Sequence, residues 1–268
     1  MGKKEKKSGK AHGKNRHGLG IDIGGTGIKG GIVDLRKGKL AGERFRIDTP
    51  KPATPDAVAE VVAQIAAELD ARPDAPARDS PVGVTFPAII RHGVALSAAN
   101  VDKAWIGTDA DSLLTGKLGR PVQMINDADA AGLAEVRYGA GKGVDGTVLV
   151  ITLGTGIGSA FIFNGELVPN AELGHLELDG FDAETRASAS ARERDGLDWD
   201  GYAQRLQRYF SHLEFLFSPE LFIVGGGISK RSEDFLPKLQ LKTPIVPAQL
   251  KNNAGIVGAA LQSALSLA

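Results

Sequence analysis

One pattern occurs twice in this chain and restricts the folds open to it more than any other feature. Leu19-Gly20-Ile21-Asp22-Ile23 is an apolar run, Gly24-Gly25-Thr26-Gly27 a glycine turn, and Ile28 to Asp34 a returning run. In the second half, Thr147 to Leu153, Gly154-Thr155-Gly156-Ile157-Gly158 and Ser159 to Phe163 repeat the arrangement. Each unit reads as a hairpin whose tip offers backbone N–H groups and a hydroxyl, and Asp22 adds a carboxylate to the first. One such loop per half implies two domains facing across a cleft and equipped for a phosphate chain with its metal ion. A plain glycine hairpin is the competing reading of the first stretch taken alone.

Gly25-Thr26-Gly27-Ile28-Lys29-Gly30 also satisfies the dinucleotide spacing G-x-G-x-x-G. That motif needs its glycines to open a helix facing the pyrophosphate. Here Gly30-Gly31-Ile32-Val33 continues as strand, so the match is rejected.

Between and after the hairpins, strands alternate with helices, which makes the chain α/β. Lys39 to Asp48 reads as a strand, and Asp56 to Ala71 as an amphipathic helix with Val58, Val62, Ile65 and Leu69 on one face. Val82 to Ala88 is a buried strand and His92 to Leu96 a short one. Ala110 to Leu118 is helical, Val122 to Ile125 a strand, and Ala128 to Tyr138 a helix stopped by Gly139-Ala140-Gly141. Trp199 to Phe217 is a long amphipathic helix. Leu221 to Val224 is a strand ended by Gly225-Gly226-Gly227, Ile245 to Pro247 a last short strand, and Ala254 to Leu267 a final helix. Residues 179 to 197 carry no readable period.

With 42% hydrophobic residues in 268, a core can form without staples. Cysteine is absent, which removes disulfides, thiolate zinc sites and cysteine nucleophiles and suits a reducing cytoplasm, the expected location. No apolar run reaches the length of a membrane span, so no membrane partner is expected. Formal charge is zero overall, yet residues 1 to 17 hold seven Lys and Arg against Glu5 alone. This tail is expected to be disordered, as a solubilising extension or as an arm for polyanions. The remaining body is net acidic.

Asp22-Ile23-Gly24-Gly25-Thr26, Asn126-Asp127, Leu153 to Gly158, Glu172-Leu173-Gly174-His175 and Gly225-Gly226-Gly227 stand in the order seen in sugar kinases of the ROK family. Over residues 18 to 268 the chain resembles that family. Within it, Ile28-Lys29-Gly30 and Ser211 to Pro219 are most similar to the polyphosphate/ATP glucokinases and glucomannokinases of actinobacteria. The resemblance implies the actin-like ATPase (ribonuclease H-like) fold, with two domains around a cleft. Residues 18–125 would form the N-terminal domain, joined by helix 254–267, and residues 126–253 the C-terminal one. The implied function is transfer of phosphate from inorganic polyphosphate or ATP to the 6-hydroxyl of glucose, and of mannose as a further acceptor. A strictly ATP-dependent glucokinase is the alternative within the family. Repressors of the same family need a DNA-binding helix-turn-helix ahead of Asp22, which seventeen mostly polar residues are not expected to build, so no nucleic-acid partner is expected. Relatives are often homodimers, although no interface can be read in this sequence.

The same resemblance assigns roles. Asp127 is the catalytic base, and the acceptor sugar is held by Asn100, Asn126, Asp127, Glu172, His175 and Glu184, with Thr85, Pro87 and the backbone from Gly83 onward. Asp22 positions Mg²⁺. Gly24, Gly25, Thr26, Gly27, Lys29, Thr152, Gly154, Thr155 and Gly156 face the phosphates, and Gly225, Gly226 and Gly227 lie near adenosine. Many relatives carry a cysteine-rich zinc motif after the segment matching His175; Asp179 to Arg194 has no cysteine, so no zinc is expected. Capping of a helix is the competing reading for Asn126, Asp127 or Asp129, and a structural histidine that for His175. Inorganic polyphosphate has no base or ribose, so its site must draw on clustered cations, with Lys29, Lys103, Lys142, Lys230 and Arg231 as candidates.

Overall fold

The computed structural model describes residues 17–98 and 101–266. Asn100, the basic residues before His17 and the end of the expected helix 254–267 lie outside the described residues. The first hairpin is β1 (His17–Ile23) with β2 (Gly27–Asp34), and Asp22 stands opposite Lys29. Because β2 runs straight through Gly30-Gly31, the G-x-G-x-x-G spacing opens no helix. His17, expected in the tail, belongs to the strand, and its ring lies 2.7 Å from the Asp74 carbonyl.

Two short strands, β3 (Lys39–Leu40) and β4 (Phe45–Asp48), replace the single expected one. Leu40 pairs with Val33 and Phe45 with Gly30, so residues 41–44 must span an interval of only two residues on β2 and loop out. Next come α1 (Pro55–Asp70), capped by Thr54, and β5 (Val82–Phe86). The strand expected over His92 to Leu96 is a hairpin arm instead, β6 (Ile90–Arg91) pairing with β7 (Val94–Ala95). His92 and Gly93 both have positive φ, 52° and 77°, and form its turn. With α2 (Ala110–Leu118) and β8 (Val122–Asn126) the first sheet is complete, running from β3 and β4 through β2, β1 and β5 to β8, the last three parallel.

The second half opens with α3 (Asp127–Tyr138), followed by β9 (Thr147–Leu153), β10 (Ile157–Phe163) and β11 (Glu166–Val168). The stretch without readable period folds as β12 (Glu177–Leu178), β13 (Phe181–Asp182), α4 (Glu184–Ala187) and α5 (Ala189–Arg194). Then follow α6 (Trp199–Phe217), β14 (Leu221–Gly225), β15 (Ile245–Pro247) and α7 (Ala254–Leu265). The second sheet has the order β11-β10-β9-β14-β15, the same path as the first. The repeated hairpin is thus the visible part of a repeated topology.

Alternation along β9 explains the layering. Val148 and Val150 pack toward Ala130 and Leu133 of α3, while Leu149, Ile151 and Leu153 pack toward Tyr202, Leu206 and Phe210 of α6. Burial on both faces is what makes the strand read as a continuous apolar run. Helix α7 covers the inner face of β1 and β5 and rests on α3, so these two helices lie between the sheets. Helices α1 and α2 cover the outer side of the first sheet and α6 that of the second.

Candidate active site

Strands β1, β5, β8, β9 and β14 all deliver their C-terminal ends to one cleft of about 1070 Å³. In open α/β sheets this is where ligands reach backbone groups and helix starts. Asp22, Lys29, Pro87, Asn126, Asp127, Thr152, Glu172, His175 and Glu184 line it, as do Gly154-Thr155-Gly156 and Gly225-Gly226-Gly227.

The competition for the N-cap of α3 is resolved by geometry. Asn126 Oδ1 accepts the N–H groups of Ala128 (2.8 Å) and Asp129 (3.1 Å), and its Nδ2 donates to the Ala88 carbonyl at 3.1 Å. Asn126 is therefore both cap and tie between β8 and the segment after β5, and its second amide hydrogen has no partner among the described residues. Asp127, next along, turns its carboxyl into the cleft and accepts the Ala128 N–H at 2.9 Å. Its side chain is exposed to the cleft, with protein packed around the rest of it. Burial, the negative charge of Asp22 and that of Glu172 push it up to about 6, against the pull of the Ala128 N–H.

Asp129 points the other way. It is 1% exposed, Oδ2 accepts the Asn170 N–H at 2.8 Å, and Oδ1 has no partner among the described residues. The Asn170 side chain in turn clamps both backbone groups of Ile90, each at 2.9 Å. Burial pushes Asp129 up to about 7, and Glu172 and Asp127 add to the rise. The folded state thus holds a proton that the unfolded chain has released. The stability that this proton supplies is full below pH 3.8 and is lost as pH rises through 7. Asp129→Asn removes that dependence. The variant should exceed the wild type in stability at pH 8 by about 1–3 kcal/mol and match it near pH 5, as read by urea midpoints. A pH dependence identical to that of the wild type would rule this out.

On the opposite wall, Ser159 of β10 accepts the Leu173 N–H at 2.8 Å and donates to the Ala171 carbonyl, which pins the segment carrying Glu172 and His175. Gly174 completes the seat, since a Cβ there would stand 2.2 Å from the Ile157 carbonyl oxygen. Burial raises Glu172, partly offset by His175. Glu184 Oε2 accepts the Ile157 N–H at 2.8 Å. His175 Nδ1 lies 2.8 Å from Asp182 Oδ2.

Some expected ligands sit elsewhere. Thr85 is fully buried and does not line the cleft, because its register beside Asp22 on β1 turns its hydroxyl to Asp22 Oδ1, to which it donates at 2.8 Å. The cleft is reached from Pro87 onward, not from Gly83, which lies under α7. Gly24, Gly25, Thr26 and Gly27 are outside the lining: the tip closes on itself through the Gly24 N–H to the Gly27 carbonyl (3.2 Å), and Arg46 binds the Thr26 carbonyl. Among the candidate cations, Lys29 and Lys230 line the cleft and Lys103 and Lys142 do not. Arg231 is paired with Asp234 at 2.5 Å. Lys251, which no local pattern singles out, also lines the cleft. Lys29 Nζ lies 3.6 Å from Asp22 Oδ2.

Comparison with known proteins gives the following. The model of the ROK family matches residues 18–193. The chain is 51% identical over 249 residues to the polyphosphate glucokinase of Mycobacterium tuberculosis (strain ATCC 25618 / H37Rv), covering 92% of this chain and 91% of that protein. Among solved structures, the inorganic polyphosphate/ATP-glucomannokinase from Arthrobacter sp. strain KM is 76% identical with a TM-score of 0.89, over 94% of this chain and all of that one. A ROK family glucokinase from Streptomyces griseus, solved in complex with glucose and AMPPNP, is 26% identical with a TM-score of 0.76, over 91% of this chain and 98% of that one.

Proposed function

The chain belongs to the ROK family, and from that premise we propose that it is a phosphotransferase that moves the terminal phosphate of inorganic polyphosphate or ATP to the 6-hydroxyl of glucose, with mannose as a second acceptor. The observation that carries this reading is the carboxylate of Asp127 in the wall of the cleft, near enough to Asp22 and Glu172 to feel their charge. The lobes are residues 18–125 with the C-terminal helix, and residues 126–253.

Glu172, His175, Glu184 and the free amide hydrogen of Asn126 hold the sugar hydroxyls and set the 6-hydroxyl beside Asp127. Asp127 takes the hydroxyl proton as the sugar oxygen forms its bond to the terminal phosphorus. The bond from that phosphorus to its bridging oxygen breaks, leaving ADP or a polyphosphate one unit shorter. Backbone N–H groups of Thr155 and Gly156 and of Gly226 and Gly227, with Lys29, meet the charge of the departing phosphates; the Gly154 N–H is already donated to the Gly156 carbonyl, at 2.9 Å. Asp22, which lines the cleft, is the residue that would hold Mg²⁺: Thr85 fixes Oδ1, and Oδ2 has Lys29 Nζ 3.6 Å away. One carboxylate fits an ion that keeps much of its water and binds phosphate oxygens, and no cage of three or more ligating side chains occurs among the described residues. When bound, the ion supplies charge neutralisation at the phosphates.

Hexose 6-phosphate formation, measured across glucose, mannose, fructose and N-acetylglucosamine with each donor, tests this reading. Turnover of glucose and mannose above the other two sugars is expected; preference for N-acetylglucosamine would overturn the acceptor assignment. For the donor, Lys230 and Lys251 are exposed side chains, each worth roughly 0.7 kcal/mol to a bound chain of phosphates. Replacing both with alanine should raise the Michaelis constant for polyphosphate about tenfold, with a smaller change for ATP. Added salt should produce the same ordering, because more phosphate contacts are screened at once. Equal effects on both donors would remove these lysines from a polyphosphate track.

A further inference from the structure

Within this reading of the cleft, we propose that Asp182 is a positioning residue for the acceptor sugar, one carboxylate that orients the ring of His175 and seats the start of the helix carrying Glu184. Asp182 ends β13, whose two residues pair with β12 across the turn Asp179-Gly180. Its Oδ2 lies 2.8 Å from His175 Nδ1, and its Oδ1 accepts the Glu184 N–H at 3.0 Å. The backbone carbonyl of Asp182 accepts the Thr185 hydroxyl at 2.6 Å, tying the same first turn a second time. Glu184 then reaches the Ile157 N–H on β10. Two side chains that line the cleft, His175 and Glu184, thus share one anchor that does not line it.

The chemistry of the ring gives this anchor its consequence. With Nδ1–H donated to Asp182, a neutral imidazole presents Nε2 only as an acceptor, whereas an imidazolium donates from Nε2 as well. Glu172 and Glu184 are already acceptors when ionised, so a sugar hydroxyl that donates to one of them still needs a donor for its own oxygen. The Asp182 hydrogen bond raises His175 above the ordinary imidazole range against the effect of burial, and the charges of Asp182, Glu184 and Glu172 act in the same direction. These three carboxylates are the groups that face the ring. Asp182 therefore extends upward in pH the range over which His175 donates to the sugar. His175 and Asp182 are both substantially exposed, and an exposed pair of this kind contributes little to stability, so its removal should leave the fold intact.

Steady-state kinetics and histidine NMR titration of Asp182→Ala and Asp182→Asn test the proposal. Asp182→Ala should raise the Michaelis constant for glucose about five- to tenfold with turnover within about twofold, since Asp127 is untouched. Asp182→Asn keeps an oxygen to accept Nδ1–H but no charge. It should preserve more of the glucose affinity near pH 6 and lose it at lower pH than the wild type does on the alkaline side, in step with a downward shift of the His175 ring titration. With only five histidines in the chain, that resonance is assignable by His175→Gln. A wild type that forms no hexose phosphate would overturn the functional reading and this proposal with it. An active wild type whose two variants fold and keep its Michaelis constant, pH profile and His175 titration would overturn this proposal alone.

Discussion

Asp127→Asn should fold, bind glucose close to normally and lose about 10² to 10⁴ in turnover, the range for removal of a general base. Asparagine preserves the size of the side chain and an oxygen to accept the Ala128 N–H. Capping of α3 does not suffer, because Asn126 performs it. The loss therefore belongs to proton removal rather than to architecture. In the wild type the base must be ionised, so turnover over KM should fall as pH drops through the value of about 6 set by burial and by Asp22. The variant should lack that acid limb. A folded Asp127→Asn protein with near-normal turnover would exclude Asp127 from the chemistry.

The second large effect is expected far from any ligand, at the crossing of α7 and α3. A Cβ on Gly258 would stand 1.8 Å from the Ala130 carbonyl oxygen and 2.4 Å from its carbon. Both are backbone atoms, so no side chain can swing aside and the helices must separate. Gly258→Ala should cost about 3 kcal/mol or more. It should also lower turnover in the fraction that folds, because Ala130 is one turn along α3 from Asp127. Gly116→Ala is the control: it lies in the exposed face of α2 with nothing within 4 Å of an added Cβ. That change should be neutral or stabilising by about 0.5–1 kcal/mol. Equal denaturant midpoints for the two variants would show that the inter-helix contact is looser than described.

What could be read from the sequence was what local pattern encodes. The two hairpins, α2, α6 and β9 follow from periodicity and glycine placement, and Asn126, Asp127, Gly154 to Gly156, Glu172 and His175 come through motif order. Thr85 was misplaced because which side of a buried strand faces a ligand depends on the register between β1 and β5, set by packing and not by Thr85 itself. The interruption between β3 and β4 likewise depends on where Leu40 and Phe45 find partners. Asp182 was missed although a signal existed: Asp179-Gly180 between Leu178 and Phe181 is a two-residue hairpin turn, and a hairpin there brings Asp182 back beside the segment of His175. Asp129 gave no such signal. The N–H that its buried carboxyl accepts belongs to Asn170, 41 residues away.

The most direct test of the central claim is phosphorus NMR of purified protein mixed with glucose, Mg²⁺ and one donor at a time. The account predicts that glucose 6-phosphate accumulates with inorganic polyphosphate alone and with ATP alone, and that Asp127→Asn forms it far more slowly with either. Absence of any sugar phosphate from the wild-type protein with both donors would contradict it.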